Sequence, residues 1–285
     1  MDSDKSIRKR GVYLLPNLLT SAALFAAFYS IISGINGKFE VAAIAVVVAG
    51  FLDGMDGRVA RMTNTQSDFG EQYDSLADLI SFGLAPALLA FNWSLSSLSN
   101  ISVLAGKLGW LAAFLFVACA ALRLARFNTQ AGVADKRYFQ GLASPAAAGT
   151  LVFTIWFFID NGIAGESVRW LIFFETVVLG ILMFSRVRYL SFKVGPDGEK
   201  VPAVWLLLAV LVIVLLAIDP PVMGMMLGSV YVISGLLITV VGRRTWKLKR
   251  NKRPASKNRT DPVLDAGPGE DEDDANAEAG RRSSD

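Results

Sequence analysis

The sequence predicts an all-α protein, a polytopic transmembrane bundle of about eight spans with both termini cytoplasmic. Three observations predict it. Of 285 residues, 53% are hydrophobic, and the mean hydropathy is +0.45, above what soluble domains carry. The apolar residues fall into eight stretches, each near the ~20 residues that a bilayer crossing needs. Lysine and arginine then concentrate at alternate connections between those stretches.

Taken in order, the first span covers 15–34 and follows a basic segment, 1–14, with Lys5, Arg8, Lys9 and Arg10. Pro16, Asn17 and Thr20 interrupt its start, so it reads as a retained anchor rather than a cleaved signal. The second and third spans, 39–60 and 73–92, carry aspartates, and Pro86 is expected to kink the third. The fourth, 104–127, ends in Arg123 and Arg126, with Lys136 and Arg137 beyond. The fifth, 145–160, is short, and the sixth, 168–185, precedes Arg186, Arg188, Lys193 and Lys200. The seventh and eighth are 201–218 and 222–241, the last followed by seven basic residues between Arg243 and Arg253. The intervening loops are poor in basic residues, with Lys38, Lys107 and Arg169 as the exceptions. This alternation puts residues 53–78 on the cytoplasmic side of a cell (inner) membrane.

The organisation is therefore a basic N-terminus (1–14), a membrane domain (15–242) and a cytoplasmic tail (243–285), basic and then acidic. Residues 254–285 hold no aromatics and too little apolar area to offset ordering entropy, so disorder is expected there. The basic run 243–253 suits anionic lipid headgroups. No nucleic-acid motif is present. Cys119, the single cysteine, permits no internal disulfide and reads as a small core residue.

Four carboxylates stand inside the second and third spans. Asp53 and Asp56 are three apart, and Gly57, Ala60 and Arg61 continue the same helical stripe. Eight residues later, Gly70, Asp74 and Asp78 form a second stripe at intervals of four. Ionisable groups at membrane depth are expensive and by default mark function. Any one of these acids reads equally well as a helix-end carboxylate or a partner of Arg58 or Arg61. Four together on facing helices repel unless a cation is present. Mg²⁺, Mn²⁺ and Ca²⁺ prefer carboxylate oxygens, and a chain without histidine disfavours softer metals. Without histidine, a general base must be Asp, Glu, Lys, Tyr or water.

The pattern Asp53-Gly54-x-Asp56-Gly57-x-x-Ala60-Arg61, followed by Gly70-x-x-x-Asp74-x-x-x-Asp78, resembles the signature of the CDP-alcohol phosphotransferase family. Every signature position is matched. The resemblance implies two metal ions, Mg²⁺ or Mn²⁺, held by Asp53, Asp56, Asp74 and Asp78. It implies that Asp78 also deprotonates the acceptor hydroxyl. It places Asp53, Gly54, Gly57, Ala60 and Arg61 against the CDP group, and it implies a homodimer. The reaction is transfer of a phosphatidyl or similar group from a CDP-linked donor to an alcohol, releasing CMP.

Three further stretches are similar to the membrane-bound phosphatidylserine synthases of that family: Asp78-x-x-Ser81-Phe82-Gly83-x-x-Pro86, Arg123-x-x-Arg126-Phe127-Asn128, and Gly141-Leu142-x-x-Pro145-Ala146-Ala147-Ala148. The third departs at Ala143, where the family often carries proline. Asn17 and Thr20 sit where family members face the donor. The resemblance implies CDP-diacylglycerol and L-serine as substrates, attacked in line with Asp78 as base. Arg123 and Arg126 share a helix face and are expected at the serine carboxylate; positive-inside flanking explains them equally well. Glycerol 3-phosphate, an inositol phosphate or choline remain open as acceptors. A cation transporter is the reading outside the enzyme class; it fits less well because the acids cluster at one membrane face.

Overall fold

In the computed structural model, residues 2–130, 138–185, 187–190, 211, 214 and 217–251 are described. The seventh expected span, 201–218, and the acidic tail lie almost wholly outside them. Met1–Arg244 forms one compact unit and Thr245–Asp285 a second; everything below concerns the first.

The elements are α1 (Asp2–Ile35), α2 (Phe39–Thr63), α3 (Asp68–Asp78), a π-helical turn (Leu79–Leu84), α4 (Ala85–Trp93), a 3₁₀ turn (Leu95–Asn100), α5 (Val103–Gln130), β1 (Tyr138–Gln140), α6 (Ser144–Asp160), α7 (Arg169–Phe184), β2 (Arg188–Leu190) and α8 (Pro220–Asn251). The helical class is as expected. One short antiparallel pair is added, with Phe139 opposite Tyr189.

Among the described residues, four segments have the length and hydropathy to cross a membrane: Leu15–Ile35, Asp68–Trp93, Val103–Thr129 and Pro220–Leu237. At 25 residues α2 is long enough, about 37 Å at ~1.5 Å per residue. What sets it apart is charge, because it carries Glu40, Asp53, Asp56, Arg58 and Arg61. Large apolar side chains point outward along these helices and along α7: Phe25 is 70% exposed, Phe114 61% and Phe174, on α7, 60%. That pattern suits a protein whose surroundings are lipid.

The interior is built largely from small residues. Ala23 and Ala27 of α1 and Ala42, Ala45 and Ala49 of α2 are buried where the two helices pack. Close backbone approach of this kind is how helices associate in lipid. It also admits a hydrogen bond from Ser30 Oγ to the Ala42 carbonyl at 2.8 Å. Larger side chains fill the centre, among them Leu89, Phe116, Leu151, Ile155, Ile172 and Met183. Cys119 belongs to this core.

Two local features aim the acids. The first is the turn from α2 to α3. Asn64 ends α2 in the left-handed conformation (φ 52°), and the Thr65 N–H donates back to the Ala60 carbonyl at 3.0 Å, a C-terminal cap for which asparagine is suited. Ser67 then caps α3, its Oγ accepting from the Gly70 N–H at 3.1 Å. So short a connection makes α2 and α3 sequential neighbours, and their acidic stripes meet.

The second is the π turn. Pro86 was expected to kink the third span. A proline lacks an N–H and its ring collides with the carbonyl four residues back. Here the clash is relieved by widening the helix, with the Ala85 N–H donating to the Ile80 carbonyl five residues earlier. Helical structure runs without a break from Asp68 to Trp93, beginning five residues before the expected span.

Candidate active site

Asp53 and Asp56 come from α2 and Asp74 from α3, and one carboxylate oxygen of each lies within 4.8 Å of the others. Asp78 adjoins Asp53, and Asp74 adjoins Asp56. Asp56 is buried, at 4% exposure, and the other three are partly buried. Asp74 Oδ1 and Asp78 Oδ1 are buried without a hydrogen-bond partner. Such oxygens are costly to leave unsatisfied. Asp53, Asp56 and Asp74, grouped at ligand spacing, fit a hard divalent cation, whose preferred donors are carboxylate oxygens, while Asp78 stands outside that group of three beside Asp53.

Beside the cluster is a cavity of about 540 Å³, within the range of small-molecule sites. Asn17, Thr20, Asp56, Gly57, Arg61 and Asp74 line it, together with Ala60 and the loop between α2 and α3. A Cβ added at Gly57 or at Gly54 would meet nothing within 4 Å. Glycine at position 57 leaves the backbone bare toward the cavity, as close approach of a ligand requires. Arg61 is exposed and lines the same cavity.

The aspartates are held by neighbours on other helices. Thr20 Oγ1 donates to Asp56 Oδ2 at 2.8 Å. Asn128 Nδ2 donates to Ser75 Oγ at 3.0 Å, fixing the residue next to Asp74 to the end of α5. Ser21 and Tyr73 share a hydrogen bond of 2.8 Å between α1 and α3. Supports of this kind orient metal ligands and tune them. Ser75, Tyr73 and Ser21 were not expected from sequence. No local spacing marks them, because each partner is some fifty residues away.

On the other side of Asp78 lies a second polar group. Arg123 is within electrostatic reach of Asp78. One of its terminal nitrogens donates to Ser144 Oγ at 2.8 Å, while Nε is buried and unpartnered. Ser81, in the π turn, is 1% exposed and its Oγ also lacks a partner. Arg126, expected to work with Arg123, is placed differently. It donates to the Phe184 carbonyl at 3.3 Å and lies over the Phe184 ring at 5.5 Å.

Helical spans enclosing a carboxylate cluster beside a cavity of small-molecule size define a class: a membrane protein with an acidic site that could hold a divalent cation. The particular family follows from comparison with known proteins. The family model for CDP-alcohol phosphatidyltransferase matches residues 13–182, and the chain belongs to that family. The chain is 40% identical over 185 residues to the CDP-diacylglycerol–serine O-phosphatidyltransferase of Helicobacter pylori, covering 64% of this chain and 74% of that protein. It is 31% identical over 189 residues to the enzyme of the same name from Mycobacterium leprae, covering 64% of this chain and 60% of that protein. It is 33% identical over 191 residues to the archaetidylserine synthase of Methanothermobacter thermautotrophicus, covering 66% and 74%.

Proposed function

We propose that this chain transfers the phosphatidyl group of CDP-diacylglycerol to L-serine, giving phosphatidylserine and CMP. The observation that carries the serine acceptor is the set of three unpartnered buried atoms on Asp78, Arg123 and Ser81. Asp78 Oδ1 is an unmet acceptor, Arg123 Nε an unmet cationic donor, and Ser81 Oγ an unmet hydroxyl. A serine molecule complements all three: its hydroxyl donates to Asp78, and its carboxylate accepts from Arg123 and Ser81. The names of the relatives support the same acceptor.

Asp53, Asp56, Asp74 and Asp78 would hold two divalent ions, Mg²⁺ or Mn²⁺, which would supply charge neutralisation at the diphosphate and the leaving CMP. Arg61 grips a phosphate oxygen of the donor with its forked guanidinium. Gly54, Gly57 and Ala60 let the nucleotide lie against α2, and Asn17 and Thr20 form the facing wall. Asp78 takes the serine hydroxyl proton as the serine oxygen bonds to the lipid-bearing phosphorus. The bond from that phosphorus to the CMP oxygen breaks, and CMP leaves through the cavity. Asn128 holds α3 in place through Ser75. The enzyme works as an eight-span homodimer of a cell (inner) membrane, with both termini and the site cytoplasmic. The basic connections support that orientation, and the family resemblance supports the dimer.

The test is CMP release by the detergent-purified chain with CDP-diacylglycerol, Mn²⁺ or Mg²⁺ and one acceptor at a time: serine, glycerol 3-phosphate, inositol phosphate or choline. Serine-dependent release is expected. Arg123→Ala should raise the apparent KM for serine by roughly 10-fold or more, and Arg126→Ala should leave it unchanged. Release only with another acceptor would overturn the serine assignment while keeping the family chemistry.

A further inference from the structure

The matched family region ends at residue 182, yet α8 is packed into the same body. Gly224 and Gly228 are one turn apart. A Cβ at either would collide with α6, at the Phe153 ring and at Thr150 respectively. Two glycines at this spacing let helices in lipid approach to backbone contact. The pairing runs antiparallel, since Gly224 meets Phe153 and Gly228 meets Thr150. Tyr231 stands at i+7 from Gly224 and i+3 from Gly228, on the same face. It is half-buried and packs against the core. Continued one turn further, the pairing brings Tyr231 toward the start of α6. There Ser144 Oγ accepts from Arg123. Arg123 and Tyr231 are within electrostatic reach of each other.

We infer that α8 closes the acceptor side of the site and that Tyr231 is a specificity-determining residue, positioning Arg123 for a carboxylate-bearing alcohol. The inference rests on the serine reading given above. Arg123 carries the charge and Ser144 holds one end of its fork. The phenol of Tyr231 limits the other directions the guanidinium can take. Serine, an α-amino acid with a short hydroxyl arm, gains from that alignment. Ethanolamine, which lacks the carboxylate, gains nothing from it. The glycine contacts with α6 set the height of Tyr231, so a helix with no residue in the family signature contributes to acceptor choice.

The experiment uses the full chain in detergent with CDP-diacylglycerol and saturating metal, and compares Tyr231→Phe with the wild type. The phenylalanine keeps the ring and its packing and removes only the hydroxyl. The expected result is a roughly 10-fold higher apparent KM for serine, the scale of one polar interaction with a charged group, with kcat and the KM for CDP-diacylglycerol within twofold. The ratio of serine to ethanolamine turnover at low acceptor concentration should fall by a similar factor. Ser234→Ala serves as the structural control, because Ser234 Oγ only donates back to the Tyr231 carbonyl at 2.8 Å; it should leave the serine KM alone. An unchanged serine KM in Tyr231→Phe, or both KM values rising together, overturns the role of Tyr231 while the serine reading stands. No serine-dependent CMP release by the wild type sinks both.

Discussion

Thr20→Val isolates a single hydrogen bond in the metal site. Valine has nearly the shape of threonine, so packing beside Pro16 and Asp56 is kept and only the hydroxyl is lost. That hydroxyl has one proton and two acceptors in range, the Asp56 carboxylate at 2.8 Å and the Pro16 carbonyl at 3.1 Å. The charged, nearer acceptor is the stronger. Both residues are 4% exposed, so the bond is shielded from bulk water. A hydrogen bond to a buried charged group contributes about 1.5–3 kcal/mol, or roughly 10- to 150-fold in an equilibrium constant. Loss of a support to a metal ligand is typically worth about 10- to 100-fold in affinity. CMP release measured across a Mn²⁺ or Mg²⁺ titration should therefore show half-saturation displaced upward by about 10- to 100-fold. Thr20→Ser, which keeps the hydroxyl, should restore it. A half-saturation point that does not move would refute the idea that Thr20 orients Asp56.

Asp78→Asn removes the proton acceptor but keeps the side-chain volume; CMP release should fall at least ~100-fold, while binding of CDP-diacylglycerol, measured by protection against thermal denaturation, should persist. Chelation with EDTA should abolish turnover, and added Mn²⁺ or Mg²⁺ should restore it; a chelator-resistant enzyme would remove the metal from the mechanism. Gly141→Ala should lower thermal stability. Gly141 has φ +86°, and a Cβ there would press on the Met183 carbonyl and on Arg126. Left-handed strain of about 1–2 kcal/mol adds to overpacking of about 1–3 kcal/mol, so an undiminished melting temperature would contradict it.

The acidic stripes were legible because helical periodicity is local: Asp53 and Asp56 at i and i+3, and Asp74 and Asp78 at i and i+4, declare their faces without help from the rest of the chain. That the faces meet follows from the four-residue connection from Asn64 to Ser67, shorter than the gap between the expected spans, which end at 60 and begin at 73. The pairing of Arg123 and Arg126 was a local reading from helical spacing, and the contacts each makes could not be read from it. Both lie on one face of α5, but Ser144 captures one and the Phe184 carbonyl and ring the other. The link from Asn128 to Ser75 and the approach of Tyr231 had no sequence signal, because pairs separated by fifty or a hundred residues leave no periodic trace. Pro86 announced a disturbance of the helix, but not that it would take the form of a π turn.

The π turn has a consequence for how this rod can vary. A helix turns about 100° per residue, so one extra residue in a turn gives the segment before it and the segment after it independent headings. Asp74 and Asp78 look toward α2, while Ala85, Leu89 and Ala90 sink into the apolar interior, and neither heading dictates the other. Deleting one residue between 79 and 84 would shorten the rod by only ~1.5 Å. It would also swing the acids away from their partners by about a quarter of a revolution, so this stretch works as a phase adaptor whose residue count matters more than its composition.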